Sequence, residues 1–116
     1  IRKVMPKKVK HDKYVDKWKN LQSKLIDKNK WGEAVVEADD LLVEALKNKK
    51  IKGSSAGERM VSAQKIFSNN DGVWFGHKLR RRIGLHPDVK LKKEDVKKAL
   101  VGIAQGLKDL GVLKKK

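Results

Sequence analysis

At 116 residues, with 30 Lys plus Arg against 14 Asp plus Glu, the chain reads as one domain carrying a net charge of +16, long enough to bury a modest core unaided. Having no cysteine, it has neither disulfides nor thiolate metal sites. No apolar run approaches a membrane span and the Lys-rich start lacks the hydrophobic segment of a secretion signal, so the expectation is a cytoplasmic protein with no membrane partner.

Residues 1–10 carry five cations, no acid and Pro6, a composition that predicts an extended basic arm offering Lys7, Lys8 and Lys10 to a partner. The bundle is expected over 11–112. A first helix is predicted from about Asp12 to Asp27, where Tyr14, Trp18, Leu21 and Leu25 recur at three- and four-residue steps, with Val15 and Ile26 on the flank. Its other face is Lys13, Lys17, Lys24 and Lys28. A second helix runs from near Trp31 to before Gly53, with Val35, Ala38, Leu42, Ala45 and Leu46 in one stripe. It holds five acids and no base between Trp31 and Leu46, and is expected to be the acidic side of the molecule, turned away from any nucleic acid.

Ser55-Ala56-Gly57-Glu58 fits a capping box and predicts a third helix with Met60, Val61, Ile66 and Phe67 inward. Asn69-Asn70-Asp71-Gly72 is a turn with Asp71 as candidate cap for a fourth helix, whose core stripe is Phe75, Leu79 and Ile83. Pro87 ends it. The last helix spans about Lys92 to Leu110, with Val96, Leu100, Ile103, Leu107 and Leu110 inward and Gly102 and Gly106 permitting a tight crossing. Residues 113–116 form a basic tail. The expected fold class is all-α, a single four- to five-helix bundle with basic extended termini.

The charge excess favours a polyanion, because each phosphate neutralised releases condensed counterions. With only six Trp, Tyr and Phe residues, backbone phosphates are a better match than a platform of stacked bases. The cations concentrate in the fourth helix, where Lys78, Arg80, Arg81 and Arg82 lie between His77 and His86. Three consecutive arginines cover most of a helix circumference, so at least one must meet another element or a partner. Their planar forks suit phosphate. Lys90, Lys92 and Lys93 extend the basic region. Three isolated histidines without paired spacing offer no metal site, and no phosphate-cradling loop is present, so no cofactor is expected. His77 reads as a helix side chain, hydrogen-bonded or partly exposed, near Arg81 at i+4, and His86 as a helix-end imidazole beside free carbonyls or as an RNA contact.

Trp74, His77, Lys78, Leu79, Arg80, Arg82, Ile83 and Pro87 together resemble the signature of the HEPN family, small all-helical domains of which many are RNases. Trp31 with Ala38, Asp39, Leu41 and Leu42, and the link Gly57-Glu58-Arg59-Met60, are similar to other parts of that family, so the resemblance covers residues 12 to 111. It implies a four- to five-helix bundle, often a homodimer, whose active members pair an Arg and a His to cleave RNA without metal. Here the pair would be Arg80 and His86, or Arg81 and His86 by another count of the spacing. The chain departs from the pattern in two places: Arg81 stands at the family's polar residue, and Leu85 stands where its histidine belongs, with the imidazole one residue later. The expectation is therefore non-enzymatic binding of structured RNA, ribosomal RNA in particular, in a ribonucleoprotein such as the ribosome with ribosomal proteins as neighbours. A metal-independent, toxin-like RNase is the alternative. A DNA-binding module is a third class, but no helix-turn-helix spacing singles itself out.

Overall fold

The computed structural model describes residues 7–114, with side chains from Lys13 onward. It is all-helical: α1 (Lys7–Ser23), α2 (Trp31–Asn48), α3 (Ala56–Ser62), α4 (Asn70–Leu85) and α5 (Lys93–Asp109). Among the described residues there is no strand, and no helix is long and apolar enough to cross a membrane. Residues 1–6, Lys115 and Lys116 of the expected arm and tail lie outside the described residues.

The first helix departs from its expected bounds at both ends. It begins at Lys7, so the backbone carrying Lys7, Lys8 and Lys10 is helical rather than extended. Nothing in Lys7-Lys8-Val9-Lys10 breaks a helix, and lysine is a good helix former. It ends at Ser23, because Asp27 adopts extended backbone and its side chain accepts a hydrogen bond from the Asn29 N–H at 2.9 Å. Two 3-10 turns, Lys24–Ile26 and Lys28–Lys30, then lead into α2. The Trp31 indole N–H donates to the Leu25 carbonyl at 2.9 Å and ties this link together, while Ile26, expected on the core flank, is exposed.

α2 is the hub, packing against α1, α3, α4 and α5. Its Val35, Ala38, Leu42, Ala45 and Leu46 are fully buried, as the stripe predicts. The hydroxyl of Tyr14 accepts from the Asn48 amide at 2.7 Å, fastening α1 to the far end of α2. Burial there pushes the Tyr14 phenol up from its ordinary value. At the start of α3 the Ser55 hydroxyl accepts from the Glu58 N–H at 3.1 Å, but the Glu58 carboxylate reaches Ser54, taking both its N–H and its hydroxyl. Met60 and Phe67 are buried as expected; Val61 and Ile66 are exposed. α3 lasts only seven residues, and Val61, about 100° round from Met60, faces away. Asn69, not Asp71, caps α4, its side-chain oxygen accepting from the Gly72 N–H at 3.1 Å.

Trp18, Leu42, Leu79, Leu100 and Leu107 share one buried core, with Phe75 and Ile83 packed against it half-buried. α5 carries its whole predicted stripe inside. It ends in a Schellman motif: Gly111 at φ +83 lets the Gly111 N–H reach the Lys108 carbonyl and the Val112 N–H reach that of Leu107. Leu110 and Val112 are therefore buried and Leu113 rests on the core, so the globular part continues past the expected boundary at 112.

The α4–α5 crossing is close, and glycines make it so. A Cβ on Gly102 would sit 2.4 Å from the carbonyl carbon and oxygen of Gly72, and one on Gly76 would sit 2.7 Å from the Ile103 side chain. At Gly102 the obstacle is the Gly72 backbone, so nothing flexible is available to yield, whereas at Gly76 it is the Ile103 side chain. Gly102→Ala is expected to destabilise the fold by about 1–3 kcal/mol in a urea titration. Gly84→Ala, on the same α4 but with open space around it, should stabilise by about 0.5–1 kcal/mol.

A second expectation concerns acid. Hydrogen bonds from the Ser54 N–H and hydroxyl, with Arg59 nearby, hold Glu58 below its ordinary value of 4.5. A carboxylate whose folded value is depressed stabilises the fold above its unfolded value, and that contribution vanishes as pH falls through the lower folded one. An NMR titration should place the Glu58 midpoint below that of free glutamate, with the Ser54 amide shifting in step. Glu58→Gln should abolish the Ser54 shift.

Candidate nucleic-acid interface

The five acids of α2 do not form an acidic face. Glu44 meets Lys17 at 3.5 Å and Lys13 at 4.0 Å. Glu33 meets Lys24 at 3.2 Å, and Glu37 binds the same ammonium closely. Those carboxylates, with Glu37 foremost, raise the Lys24 ammonium above its ordinary value of 10.5. Asp39 and Asp40 are taken by α4. The lysine row expected on the free side of α1 thus turns toward α2 at Lys13 and Lys17, and the acidic side expected of α2 is neutralised from within.

The α2–α4 contact is built on Asp39, whose side chain is 0% exposed. Its Oδ2 accepts from Arg80 Nη1 at 3.0 Å and lies 3.0 Å from His77 Nδ1. The same Nη1 bonds the Asp40 carboxylate at 3.0 Å. His77 and Arg80 are three residues apart on α4, which puts both on the side facing α2. A carboxylate only accepts, so the hydrogen of this contact sits on Nδ1 and leaves Nε2 without it in the neutral ring. Trp74, one turn earlier, meets the His77 ring edge-on with centroids 5.9 Å apart. Asp39 Oδ1 is buried with no hydrogen-bond partner. An oriented imidazole of this kind can move protons, but the His77 side chain is only 13% exposed, and the shallow cavity beside Trp74 does not include it. The cluster therefore holds α4 against α2. His77 is hydrogen-bonded and partly exposed as expected, and the partner that the sequence did not name is Asp39 on another helix.

With Arg80 turned inward, the rest of the signature divides cleanly. Lys78, Arg81, Arg82 and Leu85 are exposed, and their spacing of three, four and seven residues places them on one face. No ion pair to Lys78, Arg81 or Arg82 forms among the described residues. Leu85, at the position of the family histidine, is 72% exposed. His86 has left the helix at φ −134, donating its backbone N–H to the Arg82 carbonyl at 2.9 Å, and its ring is exposed like Lys90, Lys92 and Lys93 beyond it. Arg80 and His86 share no contact: Arg80 spends Nη1 on two carboxylates of α2. Lys7, Lys8 and Lys10 have side chains outside the described residues. Among the described residues no group of His and acids could hold a metal ion.

No family model, curated protein or solved structure matches this chain.

Sequence reasoning missed Asp39 as the keystone. The signal was present: an acid at position 39, between Val35 and Leu42 in the apolar stripe of α2, is where a buried carboxylate needs a cation from a neighbouring helix. Removing one partner from such a pair strands a charge. Arg80→Ala is expected to lower the unfolding free energy by about 3 kcal/mol or more, whereas Arg81→Ala and Arg82→Ala should each change it by less than about 0.5 kcal/mol. Chemical denaturation of the three variants measures the contrast.

Proposed function

We propose that this protein binds structured RNA without cleaving it, through the outward face of α4 and the Lys90–Lys93 segment. Its setting in this reading is a ribonucleoprotein such as the ribosome, in the cytoplasm, with ribosomal RNA and neighbouring ribosomal proteins as partners. The observation that carries it is the sorting of charge on one helix. Arg80 is committed to buried carboxylates, while Lys78, Arg81 and Arg82 stand together on an exposed face with no carboxylate against them. Guanidinium forks held on a rigid helix suit phosphate oxygens, and the net charge of +16 supplies long-range attraction to any polyanion.

Two features favour binding over catalysis. The Arg–His pair that the HEPN resemblance implies needs Arg80 beside an imidazole, yet Arg80 faces α2. The position for that imidazole is occupied by an exposed leucine. The HEPN kinship itself belongs to this proposal and rests on the signature residues.

Affinity for a structured RNA should fall linearly with salt on logarithmic axes, each phosphate contact contributing about 0.9 to a slope on duplex. Arg81→Ala and Arg82→Ala should each flatten the slope by about one contact and leave the fold intact. In metal-free buffer the protein should leave RNA uncut, with His86→Ala indistinguishable from wild type. A slope unchanged by both arginine variants would overturn the assignment of the face. RNA cleavage lost in His86→Ala while binding persists would replace binding with the nuclease reading.

A further inference from the structure

A second surface, built from other helices, has a different chemistry. α1 and α5 both pack on α2, yet among the described residues no Cα of one lies within 8 Å of a Cα of the other. Between them runs a groove of about 930 Å³. Its apolar lining includes Trp18 on α1, Leu25 in the link, Trp31 at the start of α2, and Val96, Leu100 and Val101 on α5. Val101 is 56% exposed, and Ile26, next to Leu25, is 93% exposed. Lys19, Lys93, Lys97, Lys108 and Lys114 also line the groove, and no Asp or Glu does.

We infer that this groove docks an acidic amphipathic helix of a partner protein, with apolar residues at i, i+3, i+4 and i+7 and carboxylates on both flanks. Shape and charge each argue for it. The α5 residues lining the groove, from Lys93 to Lys108, recur at three- and four-residue steps along one face. That face is about 22 Å long at 1.5 Å per residue, a linear slot in which a helix lays its ridge between two others. An apolar trough edged by lysines with no counter-charge favours an occupant that brings its own carboxylates. Residues 1–6 and Lys115–Lys116 do not qualify, since they contain cations and no acid. Nor does a second copy, which carries the same +16 and whose α2 acids are already paired. The site is independent of the RNA reading except at Lys93, which belongs to both surfaces.

The probe is a designed peptide of about 18 residues, five helical turns, with Leu on one face and Glu on both flanks. Its control is a scrambled isomer of equal charge. Trp18 and Trp31 line the groove and Trp74 does not, so in a Trp74→Phe background the fluorescence reports the groove alone. The expected result is a saturable blue shift with the designed peptide. The scrambled isomer should bind at least about tenfold more weakly, as should the designed peptide to Val101→Glu or Lys97→Glu. Both positions are exposed, and circular dichroism checks that each variant keeps its helices. Arg81→Ala and Arg82→Ala should leave peptide affinity unchanged, which separates this result from the fate of the RNA proposal. Equal binding of the two peptides, or indifference to Val101→Glu, would overturn the inference. So would a Val101-dependent shift with vesicles of equal phosphatidylcholine and phosphatidylglycerol when the peptide gives none, since the groove would then be reading a lipid surface.

Discussion

A carboxylate with no exposure to water sets the geometry of this molecule. An ion as deeply buried as Asp39 costs several kcal/mol unless it is paired, and both groups that meet it come from α4. Satisfying Oδ2 with His77 and Arg80 fixes the rotation of α4 about its own axis. Once those two side chains point at α2, the helical repeat directs Lys78 and Arg82 away from it and turns Gly72 and Gly76 toward α5, while Arg81, one turn on from His77, is exposed beside them. The exposed cationic face and the close glycine crossing are thus two results of one buried contact.

The charge of the chain is organised by the same logic. The acids of α2 are answered by Lys13, Lys17, Lys24 and Arg80, so the hub helix is close to neutral in its surroundings. The remaining excess is pushed to the periphery: the outer face of α4, the segment that follows it, and the lysines along the groove. Self-repulsion of such a surface opposes compactness, and a polyanion or an acidic partner relieves it. An anionic ligand that bound this surface would therefore also stabilise the fold.

Much of the fold was legible in the sequence because α2, α4 and α5 bury long apolar stripes at helical spacing. Their bounds differ from expectation by a residue or two, apart from the C-terminal end of α2, which stops at Asn48. α1 was harder. Among its described side chains three apolar ones are buried, Tyr14, Trp18 and Leu21, and the chain after it is turned by a hydrogen bond to Asp27 that propensity does not report. Short α3 defeated the prediction for Val61, since a helix of two turns has too few positions to define a face, and Ile66 falls in the turn after that helix has ended. At the candidate interface, the inference that one of three consecutive arginines must meet another element was sound, because it rested on helical geometry alone. Which arginine it would be, and that Asp39 would receive it, depended on how two helices distant in sequence are rotated against each other. No single-helix pattern contains that information.

The contact of Gly72 with Gly102 carries a mechanical consequence. Two helices that interlock through side chains can ratchet by a turn, because rotamers rearrange to accept a new register. Two that meet backbone to backbone at one point have no such alternative, so α4 and α5 move as a single bar. The RNA face proposed for α4 and the groove on the far side of α5 are therefore held at a constant separation. The two surfaces share only Lys93, so apart from that lysine neither proposed occupant takes contacts from the other. On the two proposals above, a protein built this way would act as a fixed spacer between an anionic polymer and an acidic protein, setting the distance between them rather than passing a signal from one to the other.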